Sequence, residues 1–137
     1  MKRKKIRRKK IKRSYRKVPE TIKVPPHSIY LGEFDRITYV YETDLKGNCT
    51  KVINVSYEIN IGGKWYLVSR YDSEHDFLHC HMRISTKDSS EIALNASRVI
   101  KKGTPKNWLT WAIRDIKKHF FEYRKGFLKR SKIKNLY

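Results

Sequence analysis

Fourteen consecutive residues hold most of what this chain could use for chemistry: Arg70-Tyr71-Asp72-Ser73-Glu74-His75-Asp76-Phe77-Leu78-His79-Cys80-His81-Met82-Arg83. Three of the five histidines lie among them. His79 and His81 are two apart, so on a strand both imidazoles point to one side, and Arg83 follows on that side. Pairing of the strands before and after the intervening turn would bring Arg70 and Asp72 to the same surface. Metal-independent RNA cleavage needs a base for the ribose 2′-hydroxyl, an acid for the leaving 5′-oxygen and a cation for the phosphorane. One histidine could serve as base and the other as acid, with Arg70 or Arg83 on the phosphate. Asp72 could orient a ring and fix its tautomer, and Tyr71 could hydrogen-bond the phosphate or stack on a base.

Two other readings fit the same residues. His-x-His on a strand is a common metal pair, and His75 or Asp72 could complete a zinc site with an open position, so zinc held by His75, His79 and His81 is the alternative to a cofactor-free site. The pair also fits ordinary polar residues on a solvated sheet face. Trp108 and Trp111, three apart, read as packing, as do Tyr39, Tyr41 and Tyr57. His27 and His119 stand alone and suggest no role. The chain has no Gly-rich phosphate loop, no serine nucleophile elbow and no CxxC pair.

The elements that would position this face are legible around it. Phe34–Tyr41 reads as a first strand. In the second, Ile53, Val55, Tyr57, Ile59 and Ile61 alternate with polar residues. Gly62-Gly63 is a tight hairpin signal, Trp65–Tyr71 the third strand and Phe77–Ile84 the fourth. There Leu78, Cys80, Met82 and Ile84 face one way and His79, His81 and Arg83 the other. Ser89–Lys102 reads as a short helix ended by Gly103, or as an irregular crossover. Thr104-Pro105 is an N-cap followed by proline at the first helical position. Leu109, Ala112, Ile113, Ile116, Phe120, Tyr123 and Phe127 then recur at helical steps, an apolar stripe to cover the sheet. The other side of that helix carries Arg114, Lys117, Lys118, Arg124 and Lys125. The expected fold is α+β: a four-stranded antiparallel meander with a long C-terminal helix on one face. It is expected over residues 34–130, after a disordered basic arm (1–17) and an extended linker (18–33) and before a basic tail (131–137).

Charge is distributed unevenly. The 137 residues include 33 Lys and Arg against 13 Asp and Glu, a formal net charge of +20. Residues 1–17 contain 12 of the basic residues and no acidic one. Residues 117–137 contain eight more against Glu122 alone, so the middle is nearly neutral. An end block of like charge cannot join a core and stays extended until a polyanion neutralises it. Lys2, Arg3, Lys4, Lys5, Arg7, Arg8, Lys9, Lys10, Lys12 and Arg13, with Lys117, Lys118, Arg124 and Lys125, are therefore expected to meet an RNA or DNA phosphate backbone. No apolar anchor accompanies the charge, so a membrane is not the expected partner. Cys49 and Cys80 make no disulfide framework, and no secretory or membrane-spanning segment is evident, which points to the cytoplasm.

The run Leu67-Val68-Ser69-Arg70-Tyr71-Asp72, then His75, His79 and His81, then a helix bearing Asp115-Ile116, resembles a group of small microbial proteins. It includes the TumE-type toxins of toxin–antitoxin modules and related families of unknown function. The resemblance spans about residues 53–125 and implies a toxin directed at RNA, neutralised by a helix-turn-helix antitoxin. It would make Arg70, Tyr71, Asp72, His75, His79 and His81 the functional positions. The long basic arm and basic C-terminus depart from that group and favour a standing nucleic-acid-binding role. The expectation is an RNA-binding protein with candidate endoribonuclease activity; the alternative is a non-enzymatic nucleic-acid-binding or ribosome-associated protein.

Overall fold

The computed structural model describes residues 20–74, 77–93 and 103–136. The basic arm, with Lys2 to Lys17, lies outside them, as do His75, Asp76 and residues 94–102. The described strands are β1 (Thr21–Lys23), β2 (His27–Tyr30), β3 (Asp35–Asp44), β4 (Cys49–Ile61), β5 (Lys64–Asp72), β6 (His79–Arg83) and β7 (Glu91–Ala93), and α1 (Pro105–Arg130) follows. They form one antiparallel sheet of seven strands in the order β1-β3-β4-β5-β6-β7, with β2 also on β3. The fold is α+β, with the long C-terminal helix lying chiefly across β4 and also β5.

β3 to β6 are the expected meander, but four strands are too few. Two of the additional three lie in the segment expected as a linker. The outer edge of β3 offers unpaired N–H and C=O groups, and the extended chain at 20–30 satisfies them. Pro25 and Pro26 cannot donate to a ladder, so the pairing comes in two short pieces, β1 and β2. The seventh strand, β7, occupies part of the stretch expected as a short helix and pairs with β6.

Strand β4 also departs from simple alternation. Tyr39 pairs with Val55, but Tyr41 pairs with Val52, a bulge that inserts one residue. The bulge reverses the pleat, so Val52 is buried and Ile53 only half-buried, contrary to the expected face. At the hairpin, Gly62 and Gly63 take positive φ (61° and 87°), as a tight two-residue turn requires.

Helix α1 begins as expected: Thr104 is extended, and its side chain accepts from the Asn107 backbone N–H. It places Trp108, Ala112, Ile116, Tyr123 and Phe127 against Ile37, Val55, Tyr57, Ile59 and Tyr71 of the sheet. Each fully buried large side chain contributes about 1.5–3 kcal/mol. Two buried carboxylates join helix to sheet. Asp35 accepts from the Tyr57 hydroxyl at 2.5 Å and from Arg124 Nη1 at 3.0 Å. Asp115 is the second. The C-terminal segment is not a loose tail over 131–136: Leu136 is buried and its carbonyl accepts from Gly62 N at 3.1 Å. Among the described residues, no helix is long and apolar enough to cross a membrane.

Candidate functional site

Two clusters of titratable groups lie on opposite sides of the sheet. The first is on the face away from α1. Antiparallel pairing sets Arg70 opposite His81 and Asp72 opposite His79, so these four side chains share a surface. The His79 and His81 rings stand 6.2 Å apart and nearly parallel, and Phe77 lies 4.0 Å from His79. Asp72, only 6 % exposed, accepts from Arg70 Nη1 at 2.5 Å, and His81 Nε2 lies 3.7 Å from the same oxygen.

Glu91 also enters this cluster. From β7 it receives Arg70 Nε at 2.8 Å and Nη2 at 2.7 Å, a two-pronged clamp. The Arg70 guanidinium holds the Glu91 carboxyl below its usual range, and Glu91 in turn raises Arg70. Arg70 is thereby held by two carboxylates, so its charge is already matched within the cluster. The Arg83 guanidinium keeps its charge but is turned to the chain that follows, donating to the carbonyls of Ser85 and Thr86 at 2.8 Å each. Tyr71 does not face this surface at all. Period two turns it away from Arg70 and Asp72, and it is fully buried beneath α1, so it can neither stack on a base nor reach a phosphate. Burial, with Cys80 and Asp115 alongside, raises its hydroxyl far above the ordinary range.

Among the described residues no group of three or more His, Cys, Asp or Glu is placed to hold a metal ion. Of the zinc alternative, His79 and His81 are on this face and His75 lies outside the described residues.

The second cluster hangs from α1. Asp115, 8 % exposed, is a hub. Its Oδ2 accepts the hydroxyls of Tyr71 from β5 and of Tyr123 at 2.7 Å, and its Oδ1 lies 3.0 Å from His119 Nδ1. A hydrogen bond from Nδ1–H to the carboxylate fixes one tautomer of the neutral ring and leaves its lone pair on Nε2. His119 lines a groove of about 290 Å³ with Trp111, Arg114, Asp115 and Lys118. The sequence expectation gave His119 no role, yet Asp115 and His119 have the four-residue spacing that makes helical neighbours, so a signal was there.

The outward side of α1 runs past this groove. Arg114, Lys117, Lys118, Lys125 and Lys129 are exposed along it, and Phe121 stands among them 67 % exposed, its ring stacked on Phe120 at 4.3 Å. Of the four helix residues expected to bind phosphate, Lys117, Lys118 and Lys125 are on this stripe. Arg124 is turned to the sheet, half-buried on Asp35. A larger hollow of about 480 Å³ at the start of α1 includes Tyr41, Cys49 and Lys106, and burial pushes the Cys49 thiol up, away from reactivity.

Residues 8–133 match the family model of a domain of unknown function, DUF7718, and the chain belongs to that family. No curated protein and no solved structure shows significant similarity to it.

Proposed function

We propose that this DUF7718 member binds nucleic acid, single-stranded RNA above all, along the outward side of α1. The observation that carries this reading is the stripe of exposed Arg114, Lys117, Lys118, Lys125 and Lys129 around an exposed Phe121. Cations in a row follow a phosphate backbone, and an aromatic side chain in water among them offers a platform for an unstacked base. A duplex keeps its bases stacked, so the aromatic favours single strands, which sequence-specific RNA recognition most often targets. The basic arm extends the same chemistry, as a sequence-independent contributor to affinity. Glu122 is the one acidic residue exposed on α1 among the described residues.

The test replaces Lys117, Lys118 and Lys125 with Gln. From Lys117 to Lys125 the helix rises about 12 Å, enough to follow two or three successive phosphates. Each single-strand phosphate contributes a slope of about 0.7 in log affinity against log salt, roughly fourfold in affinity at about 0.15 M salt. Losing three contacts should weaken binding by about 50-fold and make the slope shallower by about 2. The matched triple at Lys46, Lys51 and Lys64, exposed on the sheet and its turns, should bind like wild type. Equal losses in both triples would mean that general charge, not the stripe, is responsible. An F121A variant should lose affinity with little change in slope, since stacking releases no counterions.

A further inference from the structure

We infer that the groove beside the stripe cleaves the RNA held there, with His119 Nε2 as the general base; this rests on the nucleic-acid reading above. The two candidate acid–base clusters differ in what they offer a phosphodiester. On the sheet face Arg70 is held between Asp72 and Glu91. In the helix groove Arg114 and Lys118 are exposed, no salt bridge engages either of them among the described residues, and Asp115, the one carboxylate of the lining, is directed to His119, Tyr71 and Tyr123. The groove therefore offers a phosphate two cations that no carboxylate engages among the described residues, whereas on the sheet face Arg70 is already paired and Lys51 is the cation left beside it.

The imidazole is also better prepared there. An Asp–His pair four apart on an exposed helix face would be a minor surface interaction. Here the aspartate is buried and bonded by two tyrosine hydroxyls, one of them from the sheet, so the ring is held by the tertiary structure. Among the described residues no hydrogen bond engages His119 Nε2, and the side chain is 28 % exposed at the groove. Arg114 and Lys118 belong to both groove and stripe, so RNA tracking the stripe passes its phosphates by His119.

The reaction balances with the groups present. His119 Nε2 takes the proton of a ribose 2′-hydroxyl as the 2′-oxygen forms a bond to phosphorus. The bond from phosphorus to the 5′-oxygen breaks, and that oxygen takes a proton from the Lys118 ammonium. Arg114 faces the charge that develops on the non-bridging oxygens. The products are a 2′,3′-cyclic phosphate and a 5′-hydroxyl, and solvent then returns the proton from imidazolium to lysine. Asp115 is a positioning residue in this scheme.

The experiment uses the full chain, freed of contaminating nuclease, with a mixed-sequence RNA oligonucleotide and its all-deoxy counterpart. Wild type should cut the RNA to 2′,3′-cyclic phosphate ends and leave the deoxy strand whole, because the nucleophile is the substrate's own hydroxyl. H119A and H119Q should cleave on the order of 10²-fold or more slowly while RNA affinity stays within about twofold. Added imidazole should restore part of the H119A rate, which a purely structural histidine would not allow. H119Q keeps an N–H for Asp115, and it stands as the second variant should H119A fold poorly. Wild-type protein that binds the RNA and leaves it intact overturns the inference while the binding reading survives; failure to bind removes both. Cleavage that persists in both His119 variants, or is lost in H81A alone, overturns it by moving the chemistry elsewhere.

Discussion

Replacing Tyr71 with Phe tests how the groove is built, because it removes one hydroxyl, bonded to Asp115 and beside the Cys80 thiol, and leaves the ring in place. Tyr71 is fully buried, and Phe retains its edge-on contact with Trp111, whose ring centroid lies 5.7 Å away. A hydrogen bond to a charged group contributes about 1.5–3 kcal/mol. After the substitution Asp115 Oδ2 still accepts from Tyr123, and Oδ1 still has His119 within reach. The expected cost is therefore in the lower half of that range, about 1.5–2 kcal/mol. Y123F should cost about the same. The double variant strips both hydroxyls from one oxygen of a carboxylate that is 8 % exposed. It should lose more than the sum, by a coupling of roughly 0.5–3 kcal/mol. Urea denaturation at constant m reads these values, and a single substitution should lower the midpoint by about 1 M if m is near 1.5–2 kcal/mol/M. A Y71F unfolding free energy within about 0.5 kcal/mol of wild type, or a double variant that is merely additive, would refute the hub.

Other outcomes follow from the remaining elements. Deleting residues 1–17 should leave the urea midpoint unchanged but make the salt dependence of RNA and DNA binding shallower; an unchanged slope would exclude backbone contact by the arm. The Glu91 carboxyl is lowered in the folded state by Arg70, so its contribution to stability is present above its ordinary value of 4.5 and is lost as pH falls through the lower folded value. The stability difference between wild type and E91Q should be constant above about pH 5.5 and shrink below pH 4.5, and a difference that grows toward acid would contradict the clamp. Zinc should not raise the melting temperature; a rise abolished by H79A would instead restore the zinc site of His75, His79 and His81.

Local patterning determined a good deal by itself. Four central strands, the glycine turn and the helix start at Thr104-Pro105 each depend on neighbours a few residues apart, and there the chain's chemistry acts alone. The same holds for the convergence of His79 and His81, which period two dictates once β6 is a strand. The charge of the two ends is likewise a matter of composition.

Tertiary structure decided the rest, since it depended on partners distant in sequence. Nothing local marks residues 21–30 as strands; the unpaired edge of β3 makes them so. The bulge that buries Val52 in place of Ile53 follows from register with β3, which no alternation within β4 can reveal. Glu91 reaches Arg70 across 21 positions and converts a free-looking cation into a clamped one. Asp115 and His119 were readable as helical neighbours. That the pair stands on a buried hub, rather than in water, depends on Tyr71, 44 positions away, entering from the sheet. A side chain's charge and reach are written in its own residue, but its freedom to act is set by what the fold packs against it.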